Sequence, residues 1–284
     1  MSQFKVKVIQ GKFHVKGYQP DGDSIRFEAG NPAHWDSFQW NSANKKKAAK
    51  KQLRIEAIDA LETHYAGYHQ PRPFALAALE RLLKLLGIAY TEYSLSLTTI
   101  VNADDAKSGF IISDGLDRYD RPISFAFPAS AKLTDGALLT SEQIPLEKSV
   151  NYRLAREGLV YPTFYTTTDK VIAAKIRKAV ALARKADRGL WAIDRTTYLA
   201  LWDIRTLQED VTILPKLFRR LVEFFDAYED FKELPAYMAR QKDNLQLWDD
   251  PTPRSLASLM TFDVSGRRMS LPTPVEDILF SPKG

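Results

Sequence analysis

The chain has 284 residues, of which 45% are hydrophobic and 26% charged, a composition typical of a folded globular protein. It contains no cysteine, which excludes disulfides, thiolate metal sites and cysteine nucleophiles. Its formal net charge of +5 is compatible with a polyanionic ligand but does not require one. No run approaches the roughly 18 apolar residues of a membrane span, and the N-terminus lacks a signal-peptide pattern, so we expect a cytoplasmic protein without membrane association.

The first two thirds of the chain mix strand and helix patterns. Segments 29–51 and 102–116 follow neither pattern, and we interpret the first as a long loop or insertion and the second as irregular chain. The order of the remaining elements favours an α+β fold with a small antiparallel barrel. The predicted strands cover 4–9, 12–18, 24–27, 53–58, 88–98 and 122–127, and the predicted helices cover 74–86, 150–157 and 169–186.

The character of the chain changes after Trp191. We therefore predict two regions, 1–192 and 193–284, and the second has no assigned role. Apolar residues spaced three and four apart predict one amphipathic helix over 214–228, with its stripe in the core or, alternatively, on a partner or dimer surface. Six prolines in 232–284 indicate a loop-rich or partly extended segment.

Three short segments carry the residue types that catalysis needs: DGDS at Asp21–Ser24, RIEAIDALE at Arg54–Glu62, and DRYDR at Asp117–Arg121. Side chains alternate faces along a strand, so Arg54, Glu56 and Ile58 share one face of the second segment. Either an arginine points into a pocket, or the small apolar residues on the opposite face meet solvent.

These residue types match the needs of phosphodiester cleavage. Carboxylates bind hard cations such as Ca²⁺, Mg²⁺ or Mn²⁺, glutamate serves as a base, and arginine matches phosphate with a planar fork. Each segment also has an ordinary interpretation: DGD is a common turn, Arg54 with Glu56 is a plausible exposed pair, and Arg121 is a plausible surface arginine.

In order and internal spacing, the three segments resemble the signature segments of the staphylococcal nuclease (thermonuclease) family. Residues 151–159, NYRLAREGL, resemble that family's second helix, and the lysine-rich helix before Gly189–Trp191 resembles its third. The resemblance covers about residues 4–192. It implies a five-stranded OB-fold-like β-barrel with three helices, followed here by a helical and loop-rich C-terminal extension.

The resemblance implies a role for each matching acidic position. Asp23 and Asp59 would bind a metal ion by their carboxylates, and Ala60 would bind it by its backbone carbonyl. Glu62 would position or activate the attacking water. The implied cation is Ca²⁺, with Mg²⁺ or Mn²⁺ as alternatives.

The resemblance also implies a phosphate and nucleotide site. Arg54 and Arg121 would grip the phosphate and stabilise the transition state. An aromatic pair after the second helix would flank the base, although Pro162 disturbs the match there. The candidates for substrate binding are Arg118, Tyr119, Phe164 and Tyr165.

The chain departs from the family pattern in places. Ala60 and Leu61 stand where the family usually has Thr-Pro, which a backbone ligand tolerates. Asp120 replaces a common glycine and is expected to add negative charge beside the phosphate site. Insertions near 29–51 and 99–116 would lengthen the loops around the barrel.

The resulting hypothesis is a metal-dependent endonuclease that hydrolyses DNA and/or RNA with little sugar specificity and leaves 3′-phosphate ends. The alternative is a non-catalytic module of the same fold that binds nucleic acid or protein. The C-terminal extension is a candidate for self-association, for a protein partner, or for restraint of the nuclease.

Overall fold

A computed structural model describes residues 5–201 and 203–282, without the side chain of residue 114. The helices in these ranges are α1 (Ala43–Lys47), α2 (Arg72–Leu85), α3 (Val150–Glu157), α4 (Lys170–Lys185), α5 (Pro215–Ala227) and α6 (Leu234–Arg240). The strands are β1 (Val6–His14), β2 (Ser24–Ala29), β3 (Lys50–Ile55), β4 (Ile58–Asp59), β5 (Thr91–Tyr93), β6 (Ile100–Ala103), β7 (Lys107–Leu116), β8 (Pro122–Pro128), β9 (Leu138–Leu139), β10 (Tyr161–Pro162), β11 (Phe164–Tyr165), β12 (Leu199–Ala200), β13 (Asn244–Leu247), β14 (Asp250–Ser255), β15 (Thr261–Asp263), β16 (Arg268–Ser270) and β17 (Ile278–Phe280).

Five of these strands close into a barrel. They pair in the order β1–β2–β3–β8–β7, and β7 returns to β1. The pairing is antiparallel except between β3 and β8, which run parallel. The prediction of an α+β fold with an OB-fold-like barrel is thus confirmed, but the barrel is mixed and not purely antiparallel.

Apolar side chains that alternate along the strands fill the interior of the barrel. Phe13, Phe27, Leu53 and Ile55 are fully buried, and burial of each such side chain stabilises the fold by roughly 1.5–3 kcal/mol. A side chain at Gly11 would overlap the carbonyl oxygen of Glu28 on the neighbouring strand, so glycine permits the close approach of β1 and β2.

Two of the predicted irregular segments contain regular structure. The prediction for 102–116 is wrong, because Lys107–Leu116 forms the longest barrel strand, paired on both sides. Its apolar run is only three residues long, 110–112, and polar and glycine residues flank it, so the sequence shows no strand pattern. Segment 29–51 contains a 3₁₀ turn at Pro32–Ser37 and helix α1, and the predicted strand 88–98 shrinks to Thr91–Tyr93. Residue 4 of the predicted first strand lies outside the described residues.

The three helices predicted before residue 192 are confirmed. Ser149 caps α3 by accepting a hydrogen bond from the Tyr152 amide, and Asp169 caps α4. The buried Asn151 on α3 donates to the carbonyls of Glu56 and Ser124 and accepts from the Ala126 amide. This side chain joins α3 to the chain just after β3 and to β8, next to the candidate site.

The C-terminal extension is more ordered than its prolines indicate. The helix predicted over 214–228 is confirmed as α5, and its apolar stripe is buried. Strand β17 pairs in parallel with β11, and β13 and β14 complete that sheet. The Gln70 side chain donates to the carbonyl of Ile213 over 2.8 Å. The extension therefore packs onto the chain around the barrel. None of the helices in the described ranges is long and apolar enough to cross a membrane.

Candidate active site

The register of three neighbouring barrel strands brings the three predicted segments together. Arg54, near the end of β3, pairs with Ser24 of β2 on one side and with Ile123 of β8 on the other. Asp23 precedes Ser24, and its carbonyl accepts a hydrogen bond from the Ile55 amide over 2.9 Å. Arg121 lies two residues before Ile123. The barrel thus places an aspartate and two arginines at adjacent strand ends.

All five predicted charged residues line one cavity of about 1190 Å³. They are Asp23, Arg54, Asp59, Glu62 and Arg121. Of the predicted substrate-binding residues, Arg118, Tyr119 and Tyr165 also line this cavity. The choice left open for β3 is settled: Arg54 faces the cavity, while Leu53, Ile55 and Ala57 are fully buried.

Two predicted site residues do not line the cavity. Phe164 has no exposed surface and packs edge-on against Trp248, with ring centroids 6.3 Å apart. It is a core residue, so of the predicted aromatic pair only Tyr165 lines the site. Ala60 is also buried, and a side chain at Gly22 would come within 2.8 Å of the Ala60 and Ala78 Cβ atoms. This tight packing fixes the DGDS turn against the loop after β4.

Four of the carboxyl groups that line the cavity lie close enough to act on each other's charge: those of Asp21, Asp23, Asp59 and Glu62. Burial, followed by the negative charges of Asp59 and Asp21, raises the pKa of Asp23 from 3.8 to about 7. Burial raises the pKa of Glu62 from 4.5 to about 8, although Arg219 opposes the shift. Crowded acids of this kind favour either protonation or a nearby cation.

That cation is supplied by the C-terminal extension. Arg219 of α5 donates from Nη2 to Asp59 Oδ2 over 3.1 Å and from Nη1 to Glu62 Oε1. Burial acts to lower the pKa of Arg219, but the charges of Asp59 and Glu62 outweigh it and raise the pKa above the ordinary arginine value. Arg219 therefore bridges the predicted metal ligand and the predicted base.

This arrangement does not fit the divalent cation that the resemblance implies. Two of the expected ligating side chains are engaged by Arg219, and no group of three or more aspartate, glutamate or histidine side chains within the described ranges is placed to hold a metal ion. The residue types suit Ca²⁺, but the Asp59 and Glu62 carboxylates are already bonded to Arg219.

The two predicted phosphate-binding arginines sit against aromatic rings. The Arg54 guanidinium lies 4.6 Å from the centroid of the Tyr165 ring. Arg121 donates from Nε to Asp117 Oδ2 over 2.7 Å and lies 5.6 Å from the Tyr119 ring centroid. Both guanidinium groups are thus held at the cavity wall, and the half-exposed Tyr119 lies beside Arg121.

Asp120 does not line the cavity. Its carboxylate is buried and accepts hydrogen bonds from the Asn41 and Ser42 amides over 2.9 and 2.8 Å, which lower its pKa. Its φ of 57° explains why glycine suits this position and why aspartate is tolerated there. Asp120 anchors the segment before α1.

Helix α1 is fixed beside the cavity at both ends. Asp120 holds its start, and the buried Lys51 ammonium donates to the Lys45, Lys46 and Ala48 carbonyls at its end. Lys45 also donates to the Tyr119 carbonyl over 2.6 Å. The exposed lysines of α1 therefore lie next to the cavity wall.

The tryptophans of this segment serve packing. Trp35 is buried, and the Lys51 ammonium lies 4.6 Å from the Trp40 ring centroid.

Asp21 and Arg219 are among the residues of the cavity that sequence reasoning missed. Asp21 belongs to the DGDS segment, and the carboxylate accepts a hydrogen bond from the Thr63 hydroxyl. Arg219 lies on the polar face of α5, together with Lys216, Arg220 and Glu223, all of which line the cavity. The spacing of these charged residues in the sequence indicates a helix face that is either solvated or ion-paired. It does not indicate that this face lies against the cavity.

Comparison with known protein families finds no family that matches the chain, and comparison with curated proteins finds no similar protein.

Proposed function

We propose that this protein is a metal-dependent phosphodiesterase of the staphylococcal nuclease type, an endonuclease acting on DNA and/or RNA with little sugar specificity. The observation that carries the proposal is the convergence of Asp23, Arg54, Asp59, Glu62 and Arg121 on one cavity at the strand ends of an OB-fold-like barrel.

The arginines fit the role of phosphate binding. Arg54 and Arg121 line the same cavity from adjacent strands, and in the proposed complex both bind one phosphate group. Preorganised donors stabilise charge that develops on the equatorial oxygens, and removing one such donor costs on the order of 3 kcal/mol of transition-state stabilisation. Tyr119 and Tyr165 offer ring faces for the adjoining nucleotides.

Glu62 fits the role of the base that takes a proton from the attacking water. Burial raises its pKa to about 8, so the carboxylate that can accept a proton becomes populated as pH rises above neutrality. Expulsion of the 5′ oxygen would leave the phosphate on the 3′ side. Ca²⁺ is the cofactor that the resemblance implies, with Mg²⁺ and Mn²⁺ as the other cations to assay.

The test is cleavage of single-stranded DNA and RNA by the full chain with each cation and with chelator. We expect Arg54→Ala and Arg121→Ala each to lower the cleavage rate roughly a hundredfold or more without loss of fold. Arg81→Ala is the matched control, because Arg81 pairs with Glu157 away from the cavity. Undiminished cleavage in both cavity variants, or in chelator, would remove this mechanism.

One observation favours a second candidate, a non-catalytic module that binds nucleic acid or protein. The engagement of Asp59 and Glu62 by Arg219 leaves a cavity whose acids are already partnered, beside the basic helix α1. Binding of single-stranded DNA without cleavage, in the wild type and in Arg219→Gln, would favour this candidate. The extension is also the proposed surface for self-association or for a protein partner.

A further inference from the structure

We infer that Arg26, which lies against the ring of Tyr18, is a second phosphate-binding site. It holds the phosphate next to the one that Arg54 and Arg121 bind in the proposed complex. The inference rests on the proposed function, because it assigns a further contact of the same substrate strand. It makes the preferred ligand a single strand with successive charged phosphates.

A second pocket, of about 360 Å³, adjoins the cavity. Ser24 and Gln52 line both spaces and so form the boundary between them. Within the described ranges, no aspartate or glutamate lines the second pocket, whereas several carboxyl groups line the cavity. Because the permanently charged side chain of the second pocket is the Arg26 guanidinium, this pocket favours an anion.

The strand register places Arg26 one step away from the proposed phosphate site. On β2 and β3, Ser24 pairs with Arg54, and Arg26 pairs with Gln52. Alternate residues of a strand share a face, and two residues of a strand span about 7 Å. That step is comparable with the distance between neighbouring phosphates of an extended single strand. Arg26 is therefore placed for the phosphate that adjoins the scissile one.

The Arg26 guanidinium has an aromatic partner and no acidic one. It lies 4.9 Å from the centroid of the Tyr18 ring, as Arg54 lies 4.6 Å from that of Tyr165. Among the residues that the structure describes, none forms a hydrogen bond or an ion pair with this guanidinium. An aromatic ring attracts the cation without using its N–H donors, which remain available to a phosphate.

The acidic residue next along the same face of β2 is directed elsewhere. The Glu28 carboxylate lies 3.1 Å from Nε2 of the buried His14. On its other side, His14 Nδ1 lies 3.0 Å from Asp105 Oδ2. Glu28 therefore has its own partner, and Arg26 does not serve as the counter-ion of a carboxylate.

The chain that carries Tyr18 is held in place by the hairpin of β5 and β6. The Gly17 amide donates to the Ile100 carbonyl over 2.8 Å, and the Ile100 amide donates to the Tyr18 carbonyl over 3.0 Å. Gln19 Nε2 donates to Thr99 Oγ1 over 3.0 Å. The ring beside Arg26 is thus positioned before a ligand arrives, which lowers the cost of ordering the site on binding.

The first experiment measures the salt dependence of binding to labelled single-stranded DNA by fluorescence anisotropy. All proteins are full-length and carry Glu62→Gln, which removes the proposed base and keeps the strand intact. Each phosphate contact with a single strand adds about 0.7 to the slope of log affinity against log salt. We expect Arg26→Gln to lower this slope by about 0.7 and Arg26→Lys, which keeps the charge, to preserve it. Arg81→Gln, which breaks an ion pair outside both pockets, is expected to leave it unchanged.

The second experiment tests whether Arg26 contacts the neighbouring phosphate. The same proteins are titrated with a strand in which every second linkage is a neutral methylphosphonate, so that no two successive phosphates are charged. We expect Arg26→Gln to weaken binding of the fully charged strand at least about tenfold and to change binding of the alternating strand little. An equal loss for both strands, an unchanged salt slope in Arg26→Gln, or no binding of either strand would overturn the inference.

These outcomes are separable from failure of the proposed function. If protein with Glu62 intact cleaves no DNA or RNA while Arg26→Gln gives the expected losses, the subsite is supported and the nuclease is contradicted. Cleavage together with an unchanged salt slope in Arg26→Gln would do the reverse.

Discussion

The crowded carboxyl groups of the cavity predict an unusual dependence of stability on pH in metal-free protein. Glu62 has a pKa of about 8 in the fold and an ordinary value of 4.5. Burial favours the neutral form of Glu62 more than the neighbouring Arg219 favours the carboxylate, so the folded chain holds a proton that the unfolded chain releases between these two pH values. By linkage, the free energy of unfolding contributed by Glu62 is intact below about pH 4.5 and is lost as pH rises towards 8.

The size of this loss follows from the same pKa difference. Each pKa unit corresponds to about 1.4 kcal/mol, and allowance for the 13% exposure and the charge coupling of Glu62 leaves on the order of 3 kcal/mol. Asp23, with a pKa of about 7, adds a similar loss between about pH 4 and 7. The Glu62→Gln variant removes the first contribution because glutamine does not ionise.

The assay is urea unfolding in chelator at pH 5, 6, 7 and 8 for the wild type, Glu62→Gln and the exposed control Glu142→Gln. We expect Glu62→Gln to equal the wild type near pH 5 and to exceed it by on the order of 3 kcal/mol at pH 8. Glu142→Gln is expected to follow the wild type throughout. If the difference in the free energy of unfolding between the wild type and Glu62→Gln is the same at every pH, Glu62 does not hold a proton in the fold at neutral pH.

Two further predictions concern substrate contact and packing. Replacing Lys45–Lys47 of α1 by glutamine is expected to weaken binding of single-stranded DNA and to reduce the slope of log affinity against log salt by up to about 2, measured by fluorescence anisotropy. An unchanged slope, or an equal change in the control Lys178→Gln, would contradict contact with the phosphate backbone. Gly22→Ala is expected to lower the free energy of unfolding by roughly 1–3 kcal/mol, because its Cβ would meet the Cβ atoms of Ala60 and Ala78 at 2.8 Å. Urea unfolding checks this, and an unchanged midpoint would count against the tight contact.

Much of the fold was predictable because its signals are local. The helix α3 prediction, with its apolar spacing and the closing Gly158, matches the structure, and so does strand β8. Strand β7 was missed because its pairing with β1 and β8 overrides a sequence rich in polar residues and glycine. Closure of the barrel is a long-range property, which no single segment reveals.

The candidate site, like the fold, is only partly predictable from the sequence. The catalytic candidates before residue 192 lie in short segments that are recognisable in the sequence, and the pairing of the barrel strands brings them to one cavity. The position of Arg219 depends on how α5 packs, 157 residues beyond Glu62 in the sequence. Phe164 has an aromatic side chain of the type that stacks on bases, but the sheet formed by β11 and β17 buries it.

Hydrolysis of phosphodiester bonds in the cavity is tested most directly by the masses of the products. A defined single-stranded oligonucleotide is incubated with Ca²⁺ and either the wild type or Arg219→Gln, then analysed by mass spectrometry. We expect fragments that end in a 3′-phosphate, and no such fragments when Arg54→Ala is added to Arg219→Gln. An intact oligonucleotide with both proteins, or the same fragments with the Arg54→Ala double variant, would show that the cavity does not carry out this hydrolysis.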